Sequence, residues 1–150
     1  DHVGATVELA NHYDILVWGP HKDDAYWLEA IQKQAEMFGL PDCEEFMPDH
    51  WLDNGDRLVF GKENMEVLHT PGHTPGHVGL FHRKSAVVFS GDLLFLGSIG
   101  RSDFPGGDHQ QLIKSIKNRL IPLGDNVRVV PGHGPETTIG EERRTNPFVR

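Results

Sequence analysis

Three times in this chain a short apolar run ends in a glycine that is followed at once by a metal-type ligand. Met65–Leu68 leads into Thr70-Pro71-Gly72-His73, Ala86–Phe89 into Ser90-Gly91-Asp92, and Val127–Val130 into Pro131-Gly132-His133. A strand fixes the direction of its own end, and glycine lets the backbone turn tightly and approach a bound group. Imidazole and carboxylate are ligands that zinc and iron accept. Strand ends opening on one edge of a sheet would therefore gather His73, Asp92 and His133 around one point. A further pair, Asp1-His2, stands before a helical pattern. Alone, each of these residues is an ordinary turn histidine or capping aspartate. Together they point to a metal site.

The rest of the chain alternates in the manner of an α/β (α+β) domain. Val3 to Tyr13 has helical spacing with Asp1 as its N-cap, and Ile15–Trp18 is a continuous apolar run that predicts a buried strand. Asp23 to Phe38 reads as one long helix stopped by Gly39, and Pro41 to Trp51 as a loop. Asp53-Asn54-Gly55-Asp56 is a turn signal. Leu58–Phe60, Met65–Leu68, Val78–Phe81 and Ala86–Phe89 follow as strands, with a hairpin turn at Arg83-Lys84. After a glycine-rich loop, Asp108–Leu120 is helical, Val127–Val130 is a strand, and Thr137–Arg150 is a short helix and tail. This order suits part of a two-sheet sandwich better than a parallel doubly wound sheet. Trp18, Trp27 and Trp51 are expected at the core or its edge. His21, His50, His82 and His109 are expected on the surface or in turns, and Glu141-Glu142-Arg143-Arg144 as a solvated helical face.

The chain has 150 residues and a formal net charge of −8, which suits a single domain. It also argues against a nucleic-acid surface, because phosphate binding needs clustered Lys and Arg. A small anionic substrate stays open, since a metal and one or two arginines supply local positive charge. The one cysteine, Cys43, allows no internal disulfide and fits a reducing cytoplasm. Its acidic neighbours Asp42, Glu44 and Glu45 would raise a thiol pKa, so no catalytic role is assigned to it. No apolar run approaches the ~20 residues that span a membrane. Residue 1 is Asp rather than Met, and no signal peptide is visible.

With these residues in view, the sequence resembles the metallo-β-lactamase-fold hydrolases. Asp1-His2, continued by Val3-Gly4-Ala5, is similar to the second half of that family's H-x-H-x-D-H motif. His73, Asp92 and His133 match the later ligands in order and spacing. The resemblance covers residues 1–150 as a partial metallo-β-lactamase-like domain, an αββα sandwich whose first N-terminal strands are missing. It implies that Asp1, His2 and His133 hold one metal, that Asp92 bridges two, and that His73 binds the other. It assigns Asp1 the further, catalytic task of orienting or deprotonating water. The two motif histidines that would precede Asp1 are not in this sequence, so an N-terminally truncated fragment is expected. Such a fragment would expose apolar sheet surface, hold at most one metal well, and be weak or inactive by itself.

The bridging position is Asp92 rather than Cys, which disfavours the best-known zinc β-lactamases. Gly100-Arg101-Ser102-Asp103-Phe104-Pro105-Gly106-Gly107-Asp108 resembles the loop after the bridging aspartate in small glyoxalase II-like proteins and persulfide dioxygenases. Pro131–Pro135 and Asn146-Pro147-Phe148 fit the short bacterial glyoxalase II-like group. The resemblance thus implies a metal-dependent thioesterase with two zinc ions per intact protein, iron or manganese being the other metals considered. Its substrate would be a small thioester, namely an S-acylglutathione such as S-D-lactoylglutathione. His77 is read either as a structural histidine or as one that orients the ligand loop. Arg101 either binds a substrate carboxylate or fixes its loop through Asp103. Two alternatives stand beside the hydrolase. One is a mononuclear iron persulfide dioxygenase using His73, Asp92 and one missing His. The other is an inactive fragment.

Overall fold

The computed structural model describes residues 1–41 and 43–150, so the expectation involving Asp42 lies outside the described residues. The chain divides into two compact units, Asp1–Leu52 and Asp53–Arg150.

The first unit is helical. Helix α1 is Thr6–Tyr13, with Ala5 rather than Asp1 at its N-cap and no side-chain cap bond. Helical backbone begins only at Thr6, five residues after Asp1. The helix expected over 23–38 is broken into a 3-10 turn at Lys22–Asp24, α2 (Ala25–Leu28) and α3 (Ile31–Phe38). At the break the Trp27 carbonyl accepts from Ala30 N–H at 3.3 Å and from Gln34 Nε2 at 2.6 Å. A continuous helix would give that carbonyl to the amide of residue 31. Gly39 ends α3 in the left-handed conformation, as the sequence predicts. Ile15–Trp18 is not the buried strand expected from its hydrophobicity. Within the unit it makes one bridge, Trp18 to His50, and Ile15, Leu16 and Trp18 are 57%, 62% and 51% exposed. The same figure removes Trp18 from the expected core. Only Val17 of the run hydrogen-bonds laterally through its backbone, to Asp49 and His50, and Pro20 has no N–H with which to extend the pairing.

The second unit is a six-stranded mixed sheet. Strands β1 (Arg57–Phe60), β2 (Glu63–His69), β3 (Val78–His82) and β4 (Val87–Gly91) form an antiparallel meander. The chain then makes a small hairpin of β5 (Leu94–Phe95) and β6 (Ser98–Ile99). Helix α4 (His109–Ser115) follows and continues as a π turn over Ile116–Leu120. Strand β7 (Arg128–Pro131) returns parallel to β4, and β8 (Thr137–Thr138) pairs antiparallel with β7. Helix α5 (Ile139–Thr145) follows. Both helices are capped at their starts: Asp108 accepts from Gln111 N–H at 2.9 Å and Thr138 from Glu141 N–H at 3.1 Å.

Register puts Phe81, Val88 and Val129 on one face of the sheet, where they form a core with Leu112, Ile116 and Leu120 of the α4 segment and with Leu93, Leu94 and Ile139. Each such aliphatic side chain contributes about 1.5–3 kcal/mol through burial. That core holds the ends of β2, β4 and β7 at fixed spacing. Glu142 is another departure from expectation. It lies on α5 but is fully buried rather than solvated.

Candidate metal centre

His73 lies in the loop between β2 and β3, a segment tied down along its length. Thr70 N–H donates to the His77 carbonyl at 2.9 Å, Gly72 N–H to Thr74 at 3.0 Å, and Asp108 N–H to the Gly72 carbonyl at 2.8 Å. Ser115 Oγ donates to the Pro71 carbonyl at 2.7 Å. Gly72 has φ +136°, and a Cβ there would fall 2.3 Å from backbone atoms of Leu112 in α4. Only glycine lets the loop lie this close to the helix.

Asp92 follows β4 directly. Its Oδ2 stands 3.7 Å from His73 Nε2 and 3.5 Å from His133 Nε2. His133 follows β7, and its loop is registered on β4 by Gly132 N–H donating to the Gly91 carbonyl at 2.9 Å. The His73 and Asp92 side chains are each 15% exposed and that of His133 is 55% exposed, so the cluster opens to solvent on the His133 side. Three strand ends far apart in sequence thus place two imidazole nitrogens around one carboxylate oxygen.

The hydrogen bonds set the tautomers. His73 Nδ1 lies 2.7 Å from the Arg101 carbonyl. A carbonyl only accepts, so Nδ1 carries the proton and Nε2, on the Asp92 side, presents its lone pair. A metal-binding histidine characteristically holds its second nitrogen this way. His77 is arranged differently. Asp92 N–H donates to His77 Nε2 at 3.1 Å, and His77 Nδ1 lies 2.8 Å from Thr70 Oγ1. Its Nε2 lone pair is therefore spent on the Asp92 backbone, and its Nδ1–H donates to the threonine. His77 orients Asp92 and the loop rather than offering a donor to the cluster.

The other close approach is Gly100. A Cβ there would fall 1.8 Å from the Asp92 carbonyl oxygen and 3.6 Å from His73 Nδ1. The segment that follows, Arg101–Phe104, walls the site. Phe104 meets the His73 ring edge-on at 5.4 Å, and the Arg101 guanidinium lies 4.2 Å over Phe104. Arg101 also forms a two-pronged ion pair with Asp103, both contacts 2.7 Å. That bond holds the Asp103 carboxyl down at about 2 and raises the Arg101 pKa. Of the two roles expected for Arg101, the observed contacts are those of a loop brace. On the far side, Phe95 meets the His133 ring at 6.3 Å.

The donor set suits a divalent metal. Around a tetrahedral zinc with bonds of about 2.0–2.2 Å, neighbouring donors stand roughly 3.4 Å apart. The 3.5 and 3.7 Å separations at Asp92 are each close to that, so Asp92 with His73 and Asp92 with His133 are each spaced to share an ion. Asp1 and His2 belong to the first unit, where both are exposed and His2 Nε2 lies 3.8 Å from Asp1 Oδ2. The sequence reading did not anticipate the Arg101 carbonyl, Phe95 or Phe104. The first leaves no trace in residue type, and the aromatic residues are indistinguishable in sequence from core residues.

Comparison with known proteins identifies the family. Residues 1–133 match the model of the Metallo-beta-lactamase superfamily. The chain is 47% identical to the hydroxyacylglutathione hydrolase GloC of Haemophilus influenzae, over 99% of this chain and 71% of that protein. Among solved structures, TTHA1623 in a di-iron-bound form superposes with a TM-score of 0.90 at 46% identity, covering 99% of this chain and 72% of that one. The BLEG-1 B3 metallo-beta-lactamase superposes with a TM-score of 0.89 at 42% identity over the same shares.

Proposed function

This chain belongs to the metallo-beta-lactamase superfamily and is a metal-dependent hydrolase of that kind; from that premise we propose that it cleaves thioesters, with S-acylglutathione, for example S-D-lactoylglutathione, as the substrate class. The observation that carries this reading is the Asp92 carboxylate, with Oδ2 at 3.7 and 3.5 Å from the Nε2 atoms of His73 and His133. The GloC relative, itself called a hydroxyacylglutathione hydrolase, and the glyoxalase-like Gly100–Asp108 loop support the choice of thioester.

In this proposal His73 and Asp92 would hold one metal ion and Asp92 and His133 a second, zinc being the first expectation. Asp1 and His2 are assigned to the His133 ion by resemblance alone, with Asp1 orienting the attacking water. A bound divalent ion supplies Lewis acidity and brings the pKa of a coordinated water toward ~7. The chain's own part is geometric. The Arg101 carbonyl keeps the proton on His73 Nδ1, and His77 fixes the backbone of Asp92 from behind. Phe104 and Phe95 narrow the solvent around the two imidazoles. Arg101 braces the 101–104 loop through Asp103.

The test is thiol release from S-D-lactoylglutathione by the metal-loaded protein, with and without oxygen, alongside elemental analysis. Turnover independent of oxygen is expected of the intact protein, with zinc bound, and His73→Ala or Asp92→Ala in it should abolish that turnover. Wild-type turnover in either variant would overturn the site. The di-iron relative favours one other reading, an iron persulfide dioxygenase. Bound iron, together with oxygen consumption on a glutathione persulfide and no thioester cleavage, would decide for it.

A further inference from the structure

We propose that Glu142 and Asn146 are positioning residues for the metal centre, acting through the β5–β6 hairpin; this rests on His73, Asp92 and His133 being the metal ligands. Glu142 is wholly buried, and so is Asn146, the C-cap residue of α5 four positions later. Burying a carboxylate is costly unless its oxygens are hydrogen-bonded. Here they are. Glu142 Oε2 accepts from Gly97 N–H at 2.9 Å and from Asn146 Nδ2 at 2.8 Å, and Oε1 accepts from Thr137 Oγ1 at 2.6 Å. The Asn146 amide is committed as well. Its Nδ2 also donates to the Ser98 carbonyl at 2.9 Å, and its Oδ1 accepts from Phe148 N–H at 3.0 Å.

Leu96 and Gly97 form the turn of the hairpin, Ser98 being the first residue of β6, and Leu94 pairs with Ile99 and Phe95 with Ser98. A two-residue turn has few bonds of its own, and β5 and β6 are each only two residues long. Such a hairpin is not stable by itself. The clasp from α5 adds one acceptor for Gly97 N–H and one further donor for the Ser98 carbonyl.

The consequence follows from what the hairpin joins. It leaves directly from Asp92 and ends at Gly100-Arg101, whose carbonyl receives the His73 Nδ1 proton. On its side it carries Phe95, whose ring meets His133. Each of the three ligands therefore depends on this short excursion: Asp92 by the chain, His73 by a hydrogen bond and His133 by a ring contact. Fixing its tip fixes all three from a helix that none of them belongs to.

The experiment strips the full chain with chelator and titrates it with cobalt(II), reading affinity and the visible spectrum of the bound ion, with thermal unfolding in parallel. Glu142→Ala and Asn146→Ala are expected to weaken cobalt binding about 10–100-fold, the range for groups that orient metal ligands, and to change the spectrum. Glu142→Gln should behave as wild type. Its carbonyl keeps Gly97 and Asn146, and its amide donates to the Thr137 hydroxyl, which can reverse its role. If Glu142→Ala does not fold, Glu142→Asp keeps the charge but shortens the reach to Gly97, and the same losses apply to it. Variants that only lower the melting temperature, with wild-type affinity and spectrum, would overturn the proposal. His73→Ala is the control. If it too binds cobalt as wild type does, the ligand assignment itself has failed and the clasp falls with it. If His73→Ala loses cobalt while the clasp variants do not, only the clasp is wrong.

Discussion

Single side chains in this protein act through the one atom each leaves to its neighbours, and the Arg101–Asp103 pair shows how far such a contact reaches. The pair faces solvent, so its attraction is screened and its effect on stability is modest. Its titration is nonetheless informative. The guanidinium holds the Asp103 carboxyl at about 2, below its ordinary 3.8. A carboxyl with a depressed folded pKa stabilises the fold above its unfolded value, and that gain is lost as pH falls through the folded value. Metal-free wild type should therefore melt slightly above metal-free Asp103→Asn at pH 6. The margin should hold down to about pH 4 and vanish toward pH 2. A margin that stays constant to pH 2 would mean the ion pair does not brace the loop. This pair could be named from the sequence because both residues sit in one short segment. For His77 the sequence offered the orienting role as one of two readings, and the role of Glu142 could not be read from it at all. What decides them is which amide faces the side chain, and the sequence does not carry that. Glu142 in particular sits among charged neighbours, Glu141, Arg143 and Arg144, that do face water in ion pairs. Its period on α5 decides its burial, and a helix of seven residues is too short to show that period.

Elements were legible where their hydrophobic pattern outlasts the local turn chemistry. Strands β1 to β4 and β7, and the α4 segment, stand within a residue or two of where alternation or helical spacing puts them. The β5–β6 hairpin and β8 were not legible, because two-residue strands are shorter than one period of alternation. Ile15–Trp18 failed for the opposite reason. Its apolarity is real, but a strand needs lateral backbone partners, and this run has a single bridge. The loop between β2 and β3 is where an element and the site meet most closely. Gly72 rests on α4 with φ +136° and no room for a side chain. Gly72→Ala must lift the loop from the helix or strain both, at a cost of at least ~1–3 kcal/mol. It should also displace His73, so a lower urea midpoint and weaker metal binding should appear together. Gly61, at φ +59° with open space around the missing Cβ, serves as the comparison. Gly61→Ala should cost only the left-handed penalty of ~1–2 kcal/mol and leave metal binding alone. Equal metal affinity in the two variants would show that the Gly72 contact does not position His73.

At the scale of the whole molecule, metal held between His73 and Asp92 and between Asp92 and His133 would tie together chain segments that lie 19 and 41 residues apart in sequence. Loop constraints of that kind make metal binding a folding term, because the unfolded chain offers no assembled site. At a free metal concentration 100 times Kd the gain is about 2.7 kcal/mol, which for a unit of roughly 100 residues shifts the melting temperature by on the order of 10 °C or more. The choice of signal matters. Every Trp and Tyr of the chain lies within Asp1–Leu52, so intrinsic tryptophan fluorescence reports on the first unit alone. The sheet has to be followed by far-ultraviolet circular dichroism. Chelator should lower the circular dichroism midpoint of wild type by that amount, and zinc should restore it. Asp92→Ala should melt near the chelated wild type and respond to neither addition. A wild-type midpoint indifferent to chelator, in protein shown by elemental analysis to have carried metal, would place that metal somewhere other than the strand ends and remove the basis for hydrolysis there.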